Sequence, residues 1–115
     1  MSGGACIVLT TAPDAAVAQG IAEALVGEHL AACVNVLAPM RSVYRWEGKI
    51  EQSDEVQLVI KTSESRFAAV AARLKVLHPY EVPEILMIRA DAGADAYVAW
   101  IHRETALATS RPPPL

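Results

Sequence analysis

The feature that most constrains this chain is that its candidate strands are apolar at odd and even positions alike. Ile7-Val8-Leu9, Cys33-Val34 with Val36-Leu37, and Ile85 to Ile88 have no polar side. Side chains alternate across a strand, so runs of this kind belong in a sheet covered on both faces. With 115 residues there is room for one core and one domain, 1–115. A hydrophobic fraction of 53% against 20% charged residues marks a globular chain that folds without a metal or a disulfide.

The elements follow from periodicity and breakers. Ala5 to Thr11 reads as a buried strand, and Thr11-Ala12-Pro13-Asp14 offers a hydroxyl cap and a proline for the start of a helix running from Pro13 to about His29. Val17, Ile21, Ala24 and Leu25 form its apolar stripe. Cys33 to Leu37 is the next strand, and Pro39 breaks or bulges it. Ser42 to Glu47 resumes in extended form, and Gly48-Lys49 turns it back into Ile50 to Gln52, so this stretch is a hairpin arm. Val56, Leu58 and Ile60 alternate with polar residues in a strand from Glu55 to Thr62.

Ser63 is placed to cap a helix from Glu64 to His78, which Pro79 ends. Glu84 to Ala90 is a short strand, Asp95 to about Ala106 a third helix, and the proline-rich tail, 108–115, lacks the means to pack. The order β-α-β-β-α-β with an added helix gives an α+β fold of the ferredoxin-like kind. Right-handed crossovers put both main helices on one face of a four-stranded antiparallel sheet.

Two helices cover one face only. The third can shield part of the other, and the remainder is an apolar patch of the kind that marks association. Tyr44 and Trp46 share a parity on the arm, and large aromatics of this kind favour interfaces. Another copy of the chain is the expected cover, and periodicity alone does not set the number of copies.

A net charge of −3 gives nucleic acid and anionic membrane no broad attraction. The run Cys6 to Leu9 is too short for a signal peptide or a membrane span, so a cytoplasmic location is expected. Cys6 and Cys33 are expected as reduced, largely buried thiols.

Few residues carry chemistry. His29, His78 and His102 lie on separate elements, with no close-spaced pair of Cys or His ligands. Walker, dinucleotide and nucleophile-elbow patterns are missing, so no enzyme is expected. Lys61 stands beside Thr62 and Ser63 at a helix start, where backbone amides favour an anion. His78 reads as a helix-ending residue whose ring meets the last carbonyls.

The segment LAACVNVLAPMRSVYRWEGK from Leu30 to Lys49 resembles the CutA signature, as does HPYEVPE from His78 to Glu84. Thr11-Ala12-Pro13-Asp14, EVQLVIKT from Glu55 to Thr62 and the pair Tyr97 and Trp100 extend the likeness over about Ile7 to Thr105. The resemblance implies a homotrimer of ferredoxin-like, PII-like subunits whose arms, with Tyr44 and Trp46, reach into neighbours. It also implies a part in tolerance to copper and other divalent cations, with His78 and Glu81 as the metal residues and no other cofactor. Copper-binding members carry Cys and His where this chain has Thr10 and Leu77, so weak or indirect binding is expected. The alternative is a PII-like small-molecule sensor using an intersubunit cleft, where Cys33, Lys61, Tyr80 and Glu81 converge.

Overall fold

A computed structural model describes residues 4–107, and the expected flexible tail, 108–115, lies outside them. Among the described residues the elements run β1 (Ala5–Ala12), α1 (Ala15–Gly27), β2 (Cys33–Trp46), β3 (Lys49–Ser63), a 3-10 turn (Glu64–Arg66), α2 (Phe67–Leu77), β4 (Leu86–Arg89) and α3 (Asp95–Glu104). They build one sheet in the order β2-β3-β1-β4 with every neighbouring pair antiparallel. This is the expected ferredoxin-like layout with one further helix.

The helix ends depart from expectation in instructive ways. Asp14, not Thr11, caps α1, its Oδ1 accepting from the Val17 amide at 2.8 Å. Thr11 is still inside β1 and buried, so the strand claims it first. At the other end His29 takes a left-handed φ of 59°. The amides of His29 and Leu30 then reach back to the carbonyls of Val26 and Leu25, the Schellman pattern that satisfies the free carbonyls of a helix end. The His29 imidazole Nδ1 meets the Glu104 carbonyl at 3.0 Å, tying α1 to the end of α3.

Ser63 does not cap α2 either. Its hydroxyl lies 2.7 Å from His102 Nδ1 and 2.7 Å from Thr105 Oγ1, so it anchors α3 instead. A 3-10 turn intervenes before α2, and Glu64 in that turn accepts from the Gly4 amide at 3.0 Å and from Arg89 at 2.7 Å. These two bonds, the amide first, hold the Glu64 carboxyl below its usual range.

Parity sorts the sheet into two faces. Cys6, Val8, Val56, Leu58 and Ile60 point toward α1 and α2, where Ile21, Leu25, Val70 and Leu74 close the main core. On the other side, Ile7 stands opposite Lys61 and Ile88, and Leu9 opposite Val59 and Leu86. The third helix covers one end of that face through Ala5, Ala32 and Ile101, with Val98 and Trp100 packed on them. The far edge stays open: Leu86 is 60% and Ile88 52% exposed. The strands that are apolar on both parities therefore have one face filled and the other partly bare.

The arm is longer and more continuous than its sequence suggests. The sequence pattern breaks at Pro39 and around Ser53, yet β2 and β3 pair from Cys33–Lys61 out to Trp46–Lys49. A register shift between Val36 and Pro39 absorbs the proline as a bulge. The reversal is centred on Glu47 and Gly48, one residue earlier than expected, with φ of 50° and 79°. Two positive φ values in a row make the turn whose twist matches the flanking strands. The arm stretches the subunit to 57 × 29 × 24 Å.

Candidate functional site

The bulge decides what the arm presents. Upstream of it, Val34 and Val36 pair with Ile60 and Leu58 and share their core face; downstream, Pro39 pairs with Val56 and Met40 with Glu55. One extra residue thus exchanges parity, and Tyr44 and Trp46 are carried to the face of Glu55, away from the helical core. Glu51 stands opposite Tyr44 and Lys49 opposite Trp46 on that face.

The loop between α2 and β4 closes the other side. Together Tyr44, Trp46, Glu55, Tyr80, Glu81 and Val82 line a cleft of about 240 Å³. The Tyr80 hydroxyl donates to Glu55 Oε2 at 2.8 Å across its floor. Burial, then this bond, then the nearby charge of Glu55, push the Tyr80 phenol up to about 12. The phenol therefore keeps its proton across the physiological range and serves as a fixed donor. Sequence reasoning missed Glu55 and Val82; for Glu55 the signal was the alternation of β3, since Val56, Leu58 and Ile60 take the core face and leave Glu55 on the other.

His78 positions the loop. The ring is buried, its Nε2 donating to the carbonyl of Thr11 and its Nδ1 accepting from the Tyr80 amide at 3.1 Å. The ring thus turns away from the helix-end carbonyls and bridges β1 to the loop, while the backbone amide alone keeps the helix-ending role by donating to the Leu74 carbonyl. Its face lies 4.6 Å from the Tyr80 ring, centroid to centroid. Neither imidazole nitrogen is left for a metal in this arrangement. Glu81 is exposed on the cleft rim, and among the described residues no group of three or more His, Cys, Asp or Glu side chains is placed to hold a metal ion. Thr10, one of the two positions that depart from the copper-binding pattern, faces the core with its hydroxyl unpartnered. A single subunit thus offers no built metal site among these residues.

The expected cleft of Cys33, Lys61, Tyr80 and Glu81 divides in two within one chain. Cys33 and Lys61 are direct cross-strand partners, and the Lys61 ammonium lies 5.8 Å from the centre of the Tyr97 ring of α3. Lys61 stands six positions along β3 from Glu55, roughly 20 Å at the rise of a strand. Cys33 is half-buried on the partly open face, whereas Cys6 is buried on the core face, and both are free. Burial, with help from the Glu64 carboxylate, pushes the Cys6 thiol up to about 11, which leaves it inert.

With the fold and the cleft described, comparison with known proteins identifies the family. The sequence profile of the CutA1 divalent ion tolerance protein matches residues 6–104. The divalent-cation tolerance protein CutA of Pectobacterium atrosepticum is 45% identical over 98 residues, covering 85% of this chain and 89% of that protein. The divalent cation tolerance protein of Thermus thermophilus superposes with a TM-score of 0.87 at 41% identity, over 89% of this chain and 99% of that one. A relative from Archaeoglobus fulgidus, described as a periplasmic divalent cation tolerance protein, gives 0.85 at 36% identity over 88% and 98%. Profile, sequence relatives and fold agree, and this chain belongs to the CutA1 family of divalent ion tolerance proteins.

Proposed function

We propose that the chain works as a homotrimer in tolerance to divalent cations, copper among them, and that each subunit binds such ions weakly or acts on them indirectly. The observation that carries the weak-binding part is the double engagement of His78, whose two nitrogens bond Thr11 and Tyr80. A Cu(II) site needs several free nitrogen or sulfur donors, and one imidazole already bonded at both ends supplies none. Assembly is supported by the open edge of the sheet at Leu86 and Ile88 and by Tyr44 and Trp46 on the arm, each 44% exposed. Residence in the cytoplasm fits the two unpaired thiols, which suit a reducing compartment.

Competition against a calibrated chelator tests the metal part. Copper affinity is expected at about the micromolar level or weaker, above that for zinc by the Irving–Williams order, and unchanged by His78→Ala among folded molecules. Nanomolar copper binding would contradict the weak-binding reading, and loss of copper binding in His78→Ala would show that the ring is freed and ligates.

A second reading, a PII-like sensor of a small molecule, is favoured by one observation. The cleft brings Tyr80 and Glu81 together with the arm aromatics, and concave sites with a few placed polar groups are where small ligands bind. Cys33 and Lys61 enter this reading only if a neighbouring subunit brings its own pair to the cleft.

A further inference from the structure

Behind the loop that carries Tyr80 lies a second hollow, on the helical side of the sheet. Phe67, Ala71 and Lys75 follow one another at four-residue spacing, so they form one stripe of α2 beside the buried Val70 and Leu74. Glu81, Val82 and Pro83 of the loop meet that stripe around a groove of about 450 Å³. Phe67 and Ile85 give the groove an apolar base, because both pack against the main core beneath the helices. It draws no residue from the arm and none from the open face of the sheet, and it lies on the opposite side of the sheet from the surface that copies of the chain are proposed to cover. Its two charged side chains, Lys75 and Glu81, are of opposite sign and exposed. Among the described residues neither joins an ion pair, with the other or with anything else. The groove thus combines an unpaired ammonium, an unpaired carboxylate and an apolar lining.

We infer that this groove binds a free α-amino acid with a large apolar side chain, its carboxylate at Lys75, its ammonium at Glu81 and its side chain along Phe67, Ala71 and Ile85. An ion of one sign meets one attractive and one repulsive charge here, whereas a zwitterion meets two attractive ones. The end of a protein chain carries only one of the two charges, so it satisfies only one partner. The volume lies within the roughly 300–1,000 Å³ of pockets that take small ligands. The loop wall is held before any ligand arrives, since the His78 ring ties the Tyr80 amide to the Thr11 carbonyl, and a wall already in place lowers the ordering cost of binding. This assignment goes beyond the metal and assembly readings, and its failure would leave both standing.

Calorimetric titration of the full-length protein tests it with four probes: L-phenylalanine, hydrocinnamate without the ammonium, phenethylamine without the carboxylate, and glycine without the side chain. L-Phenylalanine is expected to bind saturably and at least about tenfold more tightly than each of the others, because each lacks one of the three contacts. Lys75→Gln should weaken phenylalanine about tenfold and leave phenethylamine no weaker. Glu81→Gln should weaken phenylalanine by a similar factor and leave hydrocinnamate no weaker. Both positions are exposed, so the two variants should keep the wild-type denaturant midpoint. Ala71→Leu, checked for unchanged mass by light scattering, puts bulk into the groove and should abolish saturable binding. No saturable phenylalanine binding, hydrocinnamate or phenethylamine binding as tightly as phenylalanine, or undiminished binding in any of the three variants overturns the assignment.

Discussion

The imidazole of His78 bridges the carbonyl of Thr11 and the amide of Tyr80, joining the end of β1 to the loop that walls the cleft. Donor and acceptor are both buried or half-buried, so removing the ring leaves two polar groups without partners. His78→Ala should therefore destabilise the subunit by about 1–3 kcal/mol, read from urea unfolding. It should also speed hydrogen exchange at the Tyr80 amide. A variant as stable as wild type would mean that water replaces the ring at no cost.

Thr10 presents the opposite case. Its hydroxyl is fully buried with no partner, opposite the equally buried Leu58. Replacing it by an apolar group of the same shape removes a desolvated, unsatisfied oxygen. Thr10→Val should stabilise by about 1 kcal/mol, seen as a higher denaturant midpoint with unchanged slope. A lower midpoint would show that the hydroxyl has a partner in solution.

Much of the fold was legible because its signals are local and strong. Runs such as Ile7-Val8-Leu9, short, rich in β-branched residues and followed by a turn signal, read as strands, and Val56, Leu58 and Ile60 set the core face by simple alternation. The cap at Asp14 was not legible, because Thr11 and Asp14 are both good caps and only the length of β1 decides between them. Nor was the cleft: Tyr80 and Glu81 stood out, but the union of the arm aromatics Tyr44 and Trp46 with Glu55 depends on a one-residue register shift that no local pattern encodes. Ser63 shows the same limit, since its hydroxyl is claimed by His102 and Thr105, far along the chain.

The Tyr80 phenol gives a pH signature. Its folded value of about 12 lies above the ordinary value near 10, so the folded state holds this proton more tightly. Its contribution is complete below pH 10 and is lost as pH rises from about 10 to 12, where the unfolded chain ionises first. Ultraviolet titration of the native protein should show one phenol ionising last, and Tyr80→Phe should delete that step and flatten the stability loss in this window. If Tyr80→Phe leaves the last step in place, another tyrosine is the buried one.

At the tip of the arm Glu47 and Gly48 both hold positive φ, a conformation that Asn adopts far more readily than Glu. Glu47→Asn should tighten the hairpin by roughly 0.5 kcal/mol, and Gly48→Ala should loosen it by about 1 kcal/mol. Amide exchange along Tyr44 to Glu51 reads both changes. Matching exchange rates in the two variants would place the turn in another conformation.

The claim that most needs testing is that copies of the chain cover the face carrying Ile7, Leu9, Leu86 and Ile88. Size-exclusion chromatography with light scattering at low micromolar concentration tests it directly. The expected mass is three times the 12.3 kDa of one chain, falling toward one chain in a variant that puts a charge on the open edge, Ile88→Lys. A wild-type mass of 12.3 kDa would contradict the assembly outright.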